Sequence, residues 1–194
     1  MEITSAQLKE LRDKTGISVM QCKKALEEAD GDMEKAVIIL KKRRSEAADK
    51  KSDRELGAGA VGSYVHNTNE VAAMVLLACE TDFVSKNEEF IAMAREIAMQ
   101  VAATSPTYIS KDELPAEVIE KAKEVFKPEV EGKPKEMQEK IMEGKLASYF
   151  KDQILLEQPF IKNPEVTIGD MVKGAVQKFG ENVSVVKISR LSVK

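Results

Sequence analysis

Apolar residues return along this chain at two different periods, and the change of period divides it. In the first forty residues they recur every three or four positions: Leu8 and Leu11, then Val19, Cys22, Ala25 and Leu26, then Met33, Ala36, Val37 and Leu40. This spacing gathers each set on one face of a helix, so residues 1–50 are expected to form three short helices. The punctuation agrees. Gly16 suits a left-handed helix end, Ser18 and Gln21 have the form of a capping box, and Asp30 with Gly31 turns the chain before Asp32, which caps the third helix. On the second helix the stripe turns Val19 partly inward, whereas Met20 lines up with Lys23, Lys24 and Glu27 on the polar face. Residues 41–55, KKRRSEAADKKSDRE, read as a solvated helix end passing into a linker at 51–56.

Beyond residue 56 the pattern becomes strand-like. Residues 57–66 (GAGAVGSYVH) and 71–80 (VAAMVLLACE) flank Asn67, Thr68 and Asn69, which predicts a hairpin. Residues 71–78 are apolar at all eight positions, as expected of a strand covered on both faces. Helical spacing then resumes with Phe90, Ala94, Ile97 and Val101, behind a start near residues 85–87 in which Ser85 and Glu88 offer a capping box. A loop is expected at 105–115, followed by helical segments at about 115–126 and 134–157, with Pro128 and Pro134 punctuating between them. Thr167 opens a last helix whose buried side is Met171, Val172, Ala175 and Phe179; Gly180 ends it, and 183–191 (VSVVKISRL) is a final strand. The predicted class is α+β: a three-helix domain at 1–50, a linker at 51–56, and a core at 57–194 with a roughly three-stranded antiparallel sheet packed by helices, including those within 115–157.

Composition narrows the chemistry. A net charge of −3, from 30 basic and 33 acidic residues, argues against a protein that lives on phosphate backbones, so no direct nucleic-acid contact is expected. Two cysteines, Cys22 and Cys79, lack metal-ligand spacing, and the single His66 completes no zinc set; neither metal nor cofactor is expected. No signal peptide or membrane-length apolar run is evident, which predicts a cytoplasmic protein with reduced thiols and no membrane partner. Residues 57–62 (GAGAVG) spell the dinucleotide fingerprint GxGxxG, but a charged helix end precedes them and a strand pattern follows, the reverse of what a phosphate site requires. The Gly132, Lys133 and Gly144, Lys145 pairs lack the upstream glycine of a phosphate loop. Both cysteines fall on buried stripes, far in sequence from His66, which leaves a cysteine enzyme little support.

One connection carries side chains that the fold does not require. Residues 79–90, CETDFVSKNEEF, join a strand to a helix, yet carry an aspartate beside a large aromatic, Asp82 and Phe83. Val84, directly before Ser85, can pack as a hydrophobic staple. The pattern leaves Phe83 between a ring tucked into the core and an exposed contact. Met20 stands equally open between a lone surface methionine and a partner contact.

Three stretches, LRDKTGISVMQCKKAL (11–26), CETDFVSKNEEF (79–90) and LLEQPFIKNPEVTIGDMV (155–172), resemble translation elongation factor Ts, in the family's order and over essentially the whole chain. The length resembles the short bacterial form, with one core subdomain. The resemblance implies a non-enzymatic nucleotide exchange factor for the GTPase elongation factor Tu. It further implies a UBA-like N-terminal domain that meets the GTPase's nucleotide-binding domain, and a dimerisation-type core. By the same resemblance Thr81, Asp82, Phe83 and Val84 form the motif that dislodges Mg²⁺, and Arg12, Val19, Met20 and Lys23 match the N-terminal contact positions. Val19 departs from the family's commoner methionine, and Ile17 with Ser18 stands where a small pair is usual. Some short forms pair through a C-terminal cysteine; with none after Cys79, a non-covalent homodimer in a 2:2 complex is the form implied. The reading from another class is a peptide- or ubiquitin-like-binding adaptor built on the three-helix domain.

Overall fold

A computed structural model describes residues 3–132 and 134–193, so Lys133 of the tested glycine–lysine pair lies outside the described residues. The first unit is three helices, α1 (Ser5–Thr15), α2 (Val19–Glu28) and α3 (Met33–Asp49). Their shared core is Leu11, Ile17, Cys22, Ala25, Leu26, Ala29, Ala36 and Leu40; Leu8, Met33 and Val37 of the predicted stripes are partly buried against it, and Ile17 and Ala29 join it from outside those stripes. Val19, expected partly inward, is 47% exposed. Gly16 ends α1 at φ 67°, and the Asp32 carboxylate caps α3 by accepting from the N–H groups of Glu34 and Lys35. The capping box forms at Thr4 and Gln7 of α1, not at Ser18, whose side chain makes no cap bond.

The remainder is built on a three-stranded sheet in which β1 (Ala58–Val65) and β5 (Val183–Ser192) both pair antiparallel with the central β2 (Val71–Cys79). Two more helices flank β2 in sequence, α4 (Asp82–Ser85) and α5 (Glu88–Thr104). After them come α6 (Ala116–Val130), α7 (Lys135–Phe150), a two-stranded hairpin of β3 (Pro159–Phe160) and β4 (Asn163–Thr167), and α8 (Ile168–Phe179). The main core lies between one sheet face and α5 with α8. It contains Ala73, Val75, Leu77 and Cys79 from β2, Phe90, Ala94, Ile97 and Val101 from α5, and Val172 and Val176 from α8. Alternate side chains face opposite sides of a strand, and the opposite sheet face is left open: Val61, Val65, Met74 and Leu191 are exposed on it. Among the described residues the run of β2 is therefore covered along one face, while on the other Met74 is exposed, Ala72 and Leu76 are half-buried and Ala78 is buried.

The glycines of the GxGxxG look-alike have a packing role. A Cβ on Gly62 would lie 2.1 Å from the Ala94 carbonyl carbon, so the glycine lets α5 rest directly on β1. Pro128 does not end α6; it falls in the last turn, where only one carbonyl loses its donor, and the helix closes at Val130. The segment foreseen as one helix over 134–157 stops at Phe150 and ends in a short 3-10 turn, Leu155–Glu157. The β3–β4 hairpin was not foreseen, because two strands of 2 and 5 residues carry too little alternation to detect.

The stretch read as a solvated helix end differs most. α3 runs on to Asp49, and its late turns pack on α8. Arg44 donates from Nη2 to the Thr15 carbonyl (2.9 Å) and from Nη1 to the Asp170 carbonyl (3.4 Å), joining the three-helix unit to the sheet unit. Lys173 donates to Ser45 (3.1 Å), Gln177 to Gln21 (2.5 Å), and Ala48 packs against the main core. Burial pulls the Arg44 guanidinium below its ordinary pKa.

Candidate functional site

Residues 79–90 do not pass straight into a helix. Between β2 and α5 lies the four-residue α4, and α5 has its own cap, Asn87, which accepts from the Glu89 N–H at 2.9 Å. Ser85 is not that cap; its hydroxyl donates instead to the Asp82 carbonyl at 3.1 Å. Within α4 the apolar side chains divide. Val84 is 3% exposed and belongs to the main core, whereas Phe83 is 84% exposed, the most exposed large apolar side chain among the described residues. Packing thus separates the two readings of Phe83: Val84 is buried in the main core, though from within α4 and not as a staple, since the cap is Asn87, and the ring stands in solvent.

The turn around the ring is held from several directions. Asp82 accepts from Lys86 Nζ at 2.6 Å, one helical turn on, and that hydrogen bond and charge hold its carboxyl below the usual aspartate range. Thr81 donates its backbone N–H to Glu181 Oε2 (3.0 Å) and its hydroxyl to Glu181 Oε1 (2.6 Å). Glu80 accepts from the Asn182 N–H (2.5 Å) and from Arg54 (3.3 Å), and these donors lower its pKa. Cys79 Sγ donates to the Thr81 carbonyl at 3.2 Å, and burial raises the thiol above its ordinary pKa. A buried thiol held protonated is a poor nucleophile.

The second predicted group occupies the exposed side of α1 and α2. Met20 is 70% exposed, Val19 stands beside it, and Arg12 and Lys23 are exposed, the latter within 3.8 Å of Glu27. Arg12 lines a cleft of about 690 Å³ between the two units, together with Ser18, Gln21, Lys178 and Glu89. Lys178 and Glu89 form an ion pair on its core side. The structure thus brings Arg12 into one cleft with the first turn of α5, directly downstream of Thr81, Asp82, Phe83 and Val84. Met20, Val19 and Lys23 do not line that cleft.

Sequence reasoning missed Glu181, Asn182, Glu80 and Arg54. The Asp82 and Lys86 spacing is a local signal that was available, but Glu181 stands 100 positions from Thr81 and leaves none. Among the described residues no group of three or more His, Cys, Asp or Glu side chains is placed to hold a metal ion. Nor is any helix there long and apolar enough to cross a membrane.

A model of the family described as elongation factor TS matches residues 40–194. The chain is 48% identical to elongation factor Ts of Thermodesulfovibrio yellowstonii over 194 residues, covering 100% of this chain and 97% of the relative. The chain belongs to the elongation factor Ts family. It is also 47% identical to elongation factor Ts of Heliobacterium modesticaldum, over 98% of this chain and 90% of the relative. For elongation factor Ts of Thermosipho melanesiensis the identity is 46%, with 98% of each chain covered. Membership in the elongation factor Ts family gives the chain a nucleotide-exchange role in translation elongation, with elongation factor Tu as the partner of that role. The family match begins at residue 40, so it spans the Thr81 to Val84 turn and leaves α1 and α2 to the relatives.

Proposed function

We propose that the chain binds elongation factor Tu in its GDP form, displaces Mg²⁺ and so promotes GDP release, acting by binding alone and not as an enzyme. Phe83 and Asp82, flanked by Thr81 and Val84, are the elements that reach toward the nucleotide site. Arg12, Val19, Met20 and Lys23 meet the nucleotide-binding domain. The observation that carries this reading is a large aromatic ring, 84% exposed, on a turn whose neighbours are fixed. An exposed aromatic on a rigid mount can enter a partner with little ordering cost. Mg²⁺ and phosphate-loop amides hold a bound diphosphate, so disturbing both lowers the barrier to its release. The driving force is differential affinity: the factor must bind the nucleotide-free GTPase more tightly than the GDP form, and the coupling is reciprocal.

Residues 1–50 act as the N-terminal contact domain, 51–56 as its linker and 57–194 as the core, and the chain works in the cytoplasm without direct nucleic-acid or membrane contact. The exposed sheet face of Val61, Val65, Met74 and Leu191 supports a non-covalent homodimer in which a second copy covers it, giving a 2:2 complex. Release of a fluorescent GDP from elongation factor Tu tests the proposal. The chain should accelerate it strongly at micromolar concentration; no acceleration there overturns the reading. Sedimentation of the chain alone should give twice the monomer mass, and a monomer would remove the 2:2 arrangement only.

A further inference from the structure

We infer that Glu181 is a positioning residue for nucleotide exchange, one that holds the turn bearing Asp82 and Phe83 without itself touching the partner; the inference rests on the function proposed above. The helix α4 is only four residues long. Four residues are too few for a helix to sustain itself, since nucleation costs more than one or two internal hydrogen bonds return. Its N-cap residue, Thr81, makes no side-chain bond to the α4 backbone. The Thr81 hydroxyl and backbone N–H both turn outward instead, to the two oxygens of one carboxylate, Glu181 Oε1 at 2.6 Å and Oε2 at 3.0 Å. Hydrogen bonds to an ionised acceptor are the stronger kind, and two on one group also fix its direction.

The carboxylate is itself well anchored. It follows Gly180, which ends α8 at φ 75°, and precedes Asn182, which is 7% exposed. The Asn182 side chain donates to the carbonyls of Ser52 (3.1 Å) and Arg54 (2.9 Å), and its backbone N–H donates to Glu80. Residues 80 and 81 are thus tied to the turn at 180–182, while Val84 is locked into the core on the other side. Asp82 and Phe83 lie between two fixed points. Without Glu181 the upstream point loses both ties at Thr81, and the ring must be ordered when the partner binds, a cost charged against association.

The test is GDP release from elongation factor Tu with the full chain as wild type, Glu181→Ala, Glu181→Gln, Phe83→Ala and the Glu181→Ala, Phe83→Ala double variant. Glu181→Ala should slow stimulated release at sub-saturating factor on the order of tenfold, as expected when two hydrogen bonds to a charged group are lost. Glu181→Gln should recover most of that, because its amide oxygen can accept from the Thr81 N–H while its NH₂ donates to the Thr81 hydroxyl. In the Phe83→Ala background Glu181→Ala should add no further loss, since it acts through the ring. Hydrogen exchange at the Thr81 amide should be slow in wild type and fast in Glu181→Ala, with the melting temperature little changed. A Glu181→Ala variant with wild-type release, or one whose loss multiplies that of Phe83→Ala, overturns the positioning role. The exchange reading itself survives either result provided wild type is active and Phe83→Ala is not. A wild-type chain that fails to stimulate release takes both down together.

Discussion

The α2 face and the α4 turn each present a large apolar residue to solvent, Met20 and Phe83, but the two are mounted by opposite means. Met20 sits on a ten-residue helix whose other face is fixed by Cys22, Ala25 and Leu26, so its support comes from neighbours within two turns. Phe83 sits on a helix of four residues whose support comes from Glu181 and Asn182, about a hundred positions away, and from Val84 beneath it. The first mount depends on local periodicity and a small core. The second depends on long-range polar ties, and so on the whole sheet unit being in place. A contact on a helix face can be altered without disturbing its mount; a contact on a short turn can be lost without being touched.

The helix-borne mount is the one that a single core substitution damages most. Leu26→Ala should cost the three-helix unit about 2–5 kcal/mol, because removing a fully buried side chain leaves a cavity in a small core. Thermal unfolding followed by circular dichroism should show an early transition of helical signal, while the sheet unit melts near its wild-type temperature. Arg44→Ala should do less, about 1–3 kcal/mol, by leaving the Thr15 and Asp170 carbonyls without their shared donor. Its clearest sign is looser coupling of the two units, read as an increased radius of gyration in small-angle scattering. Met20→Ala should leave the melting temperature unchanged and weaken binding of elongation factor Tu by about 1 kcal/mol, read by calorimetry. Loss of stability instead would mean that Met20 is part of the small core.

The polar ties of the second mount carry a weak pH dependence. Glu80 is held below its ordinary pKa first by the Asn182 N–H and then by Arg54. A carboxylate depressed in the folded state adds stability that is complete above its unfolded pKa and disappears as the pH falls through the folded one. Its contribution should therefore be constant from pH 6 to 8 and fade below about pH 4. Melting temperatures of wild type and Glu80→Gln should converge on acidification, and a gap that widens in acid would contradict the assignment.

Most of the architecture was legible because it is written in local periodicity. Leu11, Cys22, Leu26 and Leu40 gave the three helices their inward face, and Phe90, Ala94, Ile97 and Val101 did the same for α5. Asn67 to Asn69 marked the hairpin, and Gly16 and Gly180 marked helix ends that do take positive φ. Where reading failed, the deciding contact was remote. Nothing near Arg44 announces that its guanidinium bridges Thr15 and Asp170, so a docking helix read as a solvated one. The start of α5 is the exception, a local choice between neighbours: Asn87, within the expected start at 85–87, is the cap, and the Ser85 hydroxyl turns to the Asp82 carbonyl. For the candidate site, the pattern marked Asp82 and Phe83 as unneeded by the fold but left the direction of the ring open. Burial of Val84 beside an exposed Phe83 gives that direction.

In the function proposed above, Phe83 drives exchange from a turn held rigid by its surroundings. Stopped-flow release of fluorescent GDP from elongation factor Tu, with wild type and Phe83→Ala at matched concentration and melting temperature, tests it most directly. Removing an exposed aromatic anchor should slow stimulated release about ten- to a hundredfold while leaving the fold intact. Full stimulation by Phe83→Ala would contradict the account.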